Sequence, residues 1–297
     1  MLSHPPFRAE VVTVGAVLRS LTLNGVDLIA GFESGTPCPD YRGWVLMPWP
    51  NRVTGGRYRF GNTIQQLSIT EPAAGNALHG LVGWTLWTVA EQESARIRLA
   101  CELPPQPGYP GALDLEVTYE LGDEGLRVTL EATNAGRGPA PYGCGHHPHL
   151  TVGRRIDECE LTVPAAAYVT VDRRGHPASP QPVDGTPFDF RAGRALGPRV
   201  VDHPFTDLTM PDRRAEAVLR DPDTGRTARV VLGQGFPWLH VYTADTVSRG
   251  VRASVALEPM TCAPDAFNSG LGLVVLEPGQ AHSADYLLTG SLEETAT

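Results

Sequence analysis

Turn dipeptides set between short alternating runs constrain this chain more than any other feature. Ala16–Leu23 and Val26–Ile29 flank Asn24-Gly25, and Arg57–Phe60 and Thr63–Ile69 flank Gly61-Asn62. Such pairs supply the positive φ angles of a tight hairpin whose twist matches the strands it joins. Leu113–Leu121 and Leu126–Thr133 alternate around a Gly-Asp-Glu-Gly turn, and Ala217–Arg220 and Ala228–Leu232 lie on either side of Asp221–Arg226. Arg96–Leu103, Glu160–Val163, Ala167–Asp172, Trp238–Thr243, Ala253–Glu258, Leu273–Leu276 and Ala284–Leu288 also read as strands. No long segment keeps the roughly 3.6-residue apolar period of an amphipathic helix. With 32 glycines and 27 prolines punctuating the runs, the pattern predicts an all-β sandwich or barrel of antiparallel sheets with almost no helix.

A chain of 297 residues can form two ordinary domains or one large β architecture. No Gly-rich linker, charge block or fixed-period repeat divides it. A single domain over 1–297 is therefore expected, with the irregular Pro177–Pro187 stretch as a loop within it. The net charge of −9 argues against nucleic acid as a partner, because a phosphate-backbone binder carries a basic face. All 24 basic residues are arginines. The absence of lysine excludes Schiff-base chemistry, a lysine-anchored pyridoxal cofactor and a P-loop lysine. Five scattered cysteines without CxxC spacing fit reduced thiols. MLSHPPFRAE has no apolar signal core and no apolar run approaches a membrane span, so a cytoplasmic protein without a membrane partner is expected.

The segment most suited to chemistry is Pro141–Leu150, PYGCGHHPHL. His146, His147 and His149 stand among glycines that open the backbone and a proline that stiffens it, and imidazole exchanges protons near neutral pH. Four other places carry a chemically able side chain at a strand end or beside Gly or Pro, where rigid scaffolds present functional groups. They are Arg52 in MPWPNRVTGGRYRFG, His79 in NALHG, Asp202 in VVDHPFTDL and Glu258 in VALEPMTCAPDAF. Taken singly, each has an ordinary structural reading: a surface cation, a turn cap, an Asx turn and an exposed strand-end carboxylate.

The histidines also raise the question of a metal. His147 and His149 project to the same side of a strand, and zinc takes imidazole readily. No paired cysteines and no helical histidine spacing accompany them, so neither metal nor other cofactor is expected. Cys144 lacks the helix N-terminus or neighbouring base that would make it a nucleophile.

In order along the chain, PWPNRVTGGRYRFG, NALHG, GYPGAL, GHHPHL, VVDHPFTDL, WLHVYT and ALEPMTCAPDAFNSG resemble the motifs of the aldose 1-epimerase (mutarotase) family, from about residue 48 to residue 270. The resemblance implies a galactose mutarotase-like β-supersandwich with a sugar cleft on one sheet. It implies that His147 is the acid that protonates the ring oxygen and Glu258 the base at the anomeric hydroxyl. Arg52 and His79 would hold the sugar and Asp202 would bond its hydroxyls. Galactose mutarotases usually read Asn-His-(Thr/Ser)-Tyr-Phe where this chain reads His146-His147-Pro148-His149-Leu150, which points to a broader bacterial branch. His149 stands where an aromatic is common, and His146 is a rival for the acid. Trp44, Trp84 and Tyr242 are candidate cleft walls.

The expected reaction is α/β interconversion of a free aldohexose, with the acid and base on opposite sides of one sugar and no cofactor. A hexose-6-phosphate 1-epimerase would need extra cations, for which Arg154-Arg155 or Arg173-Arg174 are candidates. A non-catalytic carbohydrate-binding protein has no reason to keep both His147 and Glu258. A glycoside hydrolase would need two flanking carboxylates, here Glu258 and Asp202. The expected partner is a small sugar, bound by a monomer or homodimer.

Overall fold

The computed structural model describes residues 1–172 and 176–292. Its elements are antiparallel strands, short 3₁₀ turns at Thr54–Gly56, Ile156–Glu158 and Pro211–Arg213, and, among the described residues, one four-residue α-helix, Ala266–Ser269. From edge to edge, a nine-stranded sheet runs Thr88–Gln92, Arg96–Leu103, Leu113–Gly122, Gly125–Asn134, Ala281–Ser291, Thr227–Leu232, Ala215–Arg220, Glu160–Thr162 and Arg194–Ala195. The last of these strands in sequence, Ala281–Ser291, lies in the middle and joins two halves built from distant parts of the chain.

An eight-stranded sheet runs Gln181–Pro182, Ala165–Tyr168, Asp202–Leu208, Trp238–Tyr242, Val255–Met260, Gly145–His146 and Val45–Leu46, while His149–Leu150 also pairs with Val255–Met260. A four-stranded sheet, Leu2–His4, Phe7–Val12, Val17–Leu23 and Val26–Asp27, begins the chain. Most buried apolar side chains from Leu2 to Leu288 form one contiguous cluster fed by these three larger sheets, with small separate clusters around Trp238 and Trp44. Among the described residues no helix is long and apolar enough to cross a membrane.

Local sequence chemistry accounts for much of this. Arg96–Leu103 buries every second residue, as a half-buried strand should. Asn24 and Gly25 both adopt positive φ, at 50° and 80°, as the hairpin turn requires. Several expectations need correction. Ala167–Asp172 is displaced to Ala165–Tyr168, and Thr63–Ile69 stops at Gln66. Strands at Leu2–His4, Phe7–Val12 and Asp202–Leu208 were not expected. Glu258 does not end its strand, which continues through Pro259 to Met260. Pro204 and Pro259 sit inside central strands, against the usual confinement of proline to edges. Val255–Met260 is buried throughout, because one face meets the core and the other lies beneath the loops of a cleft.

Candidate active site

The ladder of the eight-stranded sheet assembles the site. Gly145 pairs with Met260 and His149 with Ala256, so His147 falls opposite Glu258. On the other side of the same strand, His240 pairs with Glu258 and Tyr242 with Ala256, while Asp202 pairs with Tyr242. Residues directly opposite in an antiparallel ladder project to the same face. His147, Glu258 and His240 thus form one row across three strands, and His149, Ala256, Tyr242 and Asp202 form the next. From these rows His147, Glu258, Tyr242 and Asp202 reach a cleft of about 200 Å³ whose lining also includes Tyr41, Arg52 and His79. That is small beside the roughly 300–1,000 Å³ of sites for drug-sized ligands.

At the floor, His147 Nε2 lies 3.2 Å from Glu258 Oε1, with both side chains almost wholly buried. The two were expected on opposite sides of a ligand; they touch, because the register puts them side by side on one face. Burial disfavours charge on either group. It raises the Glu258 carboxyl to about 7 and lowers the His147 imidazole to about 3. Near neutral pH the pair therefore holds or releases a single proton, carried by Glu258 beside a neutral imidazole. Glu258 Oε2 and His147 Nδ1 have no hydrogen-bond partner although both are buried.

The side chains around this pair are fixed by their own bonds. Arg52 makes a two-pronged contact with Glu71, Nε to Oε2 at 2.9 Å and Nη2 to Oε1 at 2.8 Å. Asn76 donates to the same Glu71 carboxylate at 3.1 Å. Asn51 and His79 both hold positive φ, 56° and 59°, and are joined twice. The His79 N–H donates to the Asn51 carbonyl at 2.9 Å, and the Asn51 N–H donates to His79 Nδ1 at 3.2 Å. Gly80 is obligatory next to them, since a Cβ there would come within 2.0 Å of the Met47 carbonyl oxygen. Asp265, from the PDAF segment, steadies the Arg52 strand from behind: its N–H donates to the Arg52 carbonyl and its carboxylate accepts the Thr54 N–H, at 2.8 and 2.9 Å. Above the cleft, Asp40 accepts hydrogen bonds from Ser248 N–H and Oγ, both at 3.0 Å, tying together the two loops that carry Tyr41 and Val247.

The three clustered histidines part company here. His146 alternates to the opposite face and is fully buried between the sheets. It bonds the Tyr286 hydroxyl through Nδ1, and its Nε2 lies 3.1 Å from the Gly43 carbonyl and 3.3 Å from the Tyr119 hydroxyl. Its role is that of a core polar link. His149 lies on the cleft face, stacked on His147 at 5.1 Å between ring centroids, with Nδ1 3.1 Å from Ser254 Oγ. Asp202 opens to the cleft and is held from below by His240, Nε2 to Oδ1 at 2.7 Å. Burial alone would raise the Asp202 carboxyl; the His240 contact outweighs it and holds it at about 2.

All five residues named from the sequence, Arg52, His79, His147, Asp202 and Glu258, line the one cleft. Tyr41, Asn51, Glu71 and His240 were missed. His240 sits in WLHVYT, and its place two residues before Tyr242 in an alternating strand was the available signal. Tyr242 is a wall as expected. Trp44 is instead buried behind Tyr41, edge-on at 5.0 Å, and Trp84 is 63% exposed and outside the cleft. Arg154 is occupied by Glu158, Asp221 and Asp223, and Arg155 by Asp157, all away from the cleft. Arg173 and Arg174 lie outside the described residues. Burial pushes the Cys144 thiol up to about 12, which removes it as a nucleophile at neutral pH.

His79, His147 and Glu258 bring candidate ligand atoms within 4.8 Å of one another. The donor set does not fit a metal. The Asn51 N–H occupies His79 Nδ1, so the neutral ring carries its proton on Nε2 and has no lone pair free. That leaves one imidazole and one carboxylate, short of the three protein ligands of a catalytic zinc site.

Fold and cleft together define a β protein of large antiparallel sheets with a buried imidazole–carboxyl pair at the base of a small polar cleft. A model of the aldose 1-epimerase family matches residues 1–289, and the chain belongs to that family. The uncharacterized protein YihR of Escherichia coli (strain K12) is 34% identical over 294 residues, covering 97% of this chain and 92% of that one. Among solved structures, the GalM/aldose epimerase homologue from C. elegans superposes with a TM-score of 0.86 at 21% identity, covering 98% of each chain. The galactose 1-epimerase from Lactobacillus acidophilus NCFM gives 0.82 at 22% identity, over 97% of this chain and 92% of that one. At such identities the solved structures establish a common fold.

Proposed function

We propose that this protein is an aldose 1-epimerase that interconverts the α and β anomers of a free aldohexose. The observation that carries the reading is the 3.2 Å contact between His147 Nε2 and Glu258 Oε1 on the cleft floor. Mutarotation acts on two oxygens, the ring oxygen and O1, bonded to the same carbon. An acid and a base serving them must converge, as these two do. A glycoside hydrolase would use Glu258 and Asp202 as carboxyl groups roughly 5–9.5 Å apart, whereas here each is set against an imidazole, His147 at 3.2 Å and His240 at 2.7 Å.

In the proposed cycle the free site holds one proton on Glu258, which passes to the adjacent His147 Nε2 as the sugar enters. The sugar replaces their direct contact. His147 gives a proton to the ring oxygen while Glu258 takes the proton of the O1 hydroxyl, so the C1–ring oxygen bond breaks and C1 becomes an aldehyde carbonyl. Rotation about C1–C2 presents the other face. Glu258 then returns its proton to the carbonyl oxygen as the C5 hydroxyl attacks C1, and His147 recovers the hydroxyl proton. Both groups end as they began. Each positioned proton-transfer group contributes on the order of 10²–10⁴-fold. Asp202, Arg52 and His79 hold the sugar hydroxyls and ring oxygen.

A neutral sugar is favoured over a phosphate ester. Asp40, Glu71, Asp202 and Glu258 line the cleft against one guanidinium, Arg52, which Glu71 already engages. The test is polarimetry over a panel of free and 6-phosphorylated aldoses. Acceleration of a free aldose, lost in Glu258→Gln, is expected; no acceleration of any aldose would refute the reading in favour of a binding protein.

A further inference from the structure

We propose that His240 is a positioning residue that couples the two carboxylates of the site, fixing Asp202 through Nε2 and, as an imidazolium, setting the basicity of Glu258 across the strand pair. The inference rests on the proposed function for its kinetic consequence and on geometry for its substance.

His240 is 3% exposed and does not itself line the cleft, although Asp202, Glu258, His147 and Asn51 around it all do. It therefore acts from behind. Its Nε2 lies 2.7 Å from Asp202 Oδ1, and the Asp202 side chain is 46% exposed. One carboxylate oxygen is thus anchored below while the group remains open to a ligand above. Direct cross-strand pairing puts His240 beside Glu258, on the side away from His147. Glu258 consequently stands between two imidazoles of opposite tendency. Burial lowers His147 far below the usual imidazole range. Burial opposes charge on His240 as well, but Glu258 and Asp202 outweigh it and hold its pKa above the ordinary value.

Other groups facing this array are Arg52, which opposes charge on His240, and His79, His147 and His203, which share its field. The Asn51 amide nitrogen lies 3.5 Å from His240 Nδ1 while the Asn51 Oδ1 accepts the Arg52 N–H at 3.0 Å, so an imidazolium at His240 requires the amide to turn and accept the Nδ1–H hydrogen bond through its oxygen, giving up the Arg52 N–H. In this arrangement Asp202 and Glu258 are not independent. A sugar hydroxyl bonded to Asp202 weakens that carboxylate's hold on the imidazolium and so alters the proton affinity of the base. Sugar binding and proton transfer are linked through one buried ring.

The experiment combines titration with kinetics. His240→Gln keeps an N–H for Asp202 and removes the charge. In protein labelled with ¹³C at glutamate carboxyls, Glu258 is expected to titrate about 1–3 units higher in this variant than in the wild type, as for loss of a cation within about 4–6 Å. The alkaline limb of kcat/KM is expected to move up with it, with KM changed less than in His240→Phe, which also releases Asp202. An unmoved Glu258 titration and an unmoved limb would overturn the proposal, leaving His240 a purely structural residue. If the variant does not fold, ¹⁵N imidazole spectra of the wild type decide: His240 must take its proton at higher pH than a free histidine, and a ring that stays neutral at pH 5 refutes the coupling. A shifted Glu258 titration in a protein that epimerises no sugar would sustain this proposal and remove only the functional reading.

Discussion

His146→Asn and His147→Asn change adjacent residues by the same chemistry, yet the structure predicts opposite consequences. His147 has no bond through Nδ1 and touches Glu258 through Nε2, so its loss removes a proton carrier and little packing. For that variant kcat is expected to fall by roughly 10²–10⁴-fold. This corresponds to about 3–5 kcal/mol on the barrier, with Tm near that of the wild type. His146 contacts the Tyr286 and Tyr119 hydroxyls and the Gly43 carbonyl in the space between the sheets. A shorter asparagine cannot span them. If two of these buried groups lose their partner, at about 1–3 kcal/mol each, the loss is about 2–6 kcal/mol. That is a large share of the roughly 5–15 kcal/mol that holds a folded protein together. His146→Asn should therefore lower Tm by several degrees or more while the folded fraction keeps kcat within a few-fold. Polarimetry with the best aldose and thermal unfolding by circular dichroism measure both quantities on the same samples. If His146→Asn abolishes kcat at unchanged Tm while His147→Asn turns over normally, the face assignment is wrong.

Because Glu258 takes its proton at about 7, the singly protonated pair is depleted above that pH and kcat/KM should fall about tenfold per unit there. The acid limb, where His147 takes a second proton, lies far lower because that ring is pushed down to about 3, and both apparent values belong to the coupled pair. Glu258→Gln should abolish the alkaline limb and cut kcat by roughly 10²–10⁴-fold with little change in KM; a profile unchanged in shape would contradict the assignment of the base. A free aldose should be turned over with higher kcat/KM than its 6-phosphate, and activity confined to the ester would refute the electrostatic argument. Prolonged EDTA should leave the rate unchanged, because His79 has no lone pair to offer a metal; zinc-dependent recovery after chelation would show otherwise.

Alternation and turn chemistry are local properties, and they made the strand content legible. Arg96–Leu103 occupies the residues its pattern predicts, and Asn24-Gly25 turns the chain where a hairpin needs positive φ. The Asp202–Leu208 strand escaped because Asp-His-Pro reads as a loop, and a proline argues against a strand paired on both sides, as this one is by Ala165–Tyr168 and Trp238–Tyr242. The five candidate site residues were legible because each carries able chemistry beside Gly, Pro or a strand end. What the chain could not announce was which of them meet. The row of His147, Glu258 and His240 depends on two registers, and the one that brings His147 to Glu258 joins segments about a hundred residues apart; one residue of slip would turn every side chain to the other face. The same period of two sends His146 into the core and His147 into the cleft, a separation that adjacent letters do not reveal. Glu71, Asn51 and His240 gain their meaning only from partners brought to them by the fold. Proton affinity was decided there too: a glutamate is an ordinary acid in sequence, and only burial beneath the cleft raises Glu258 to the neutral range where it can both take a proton and give it back.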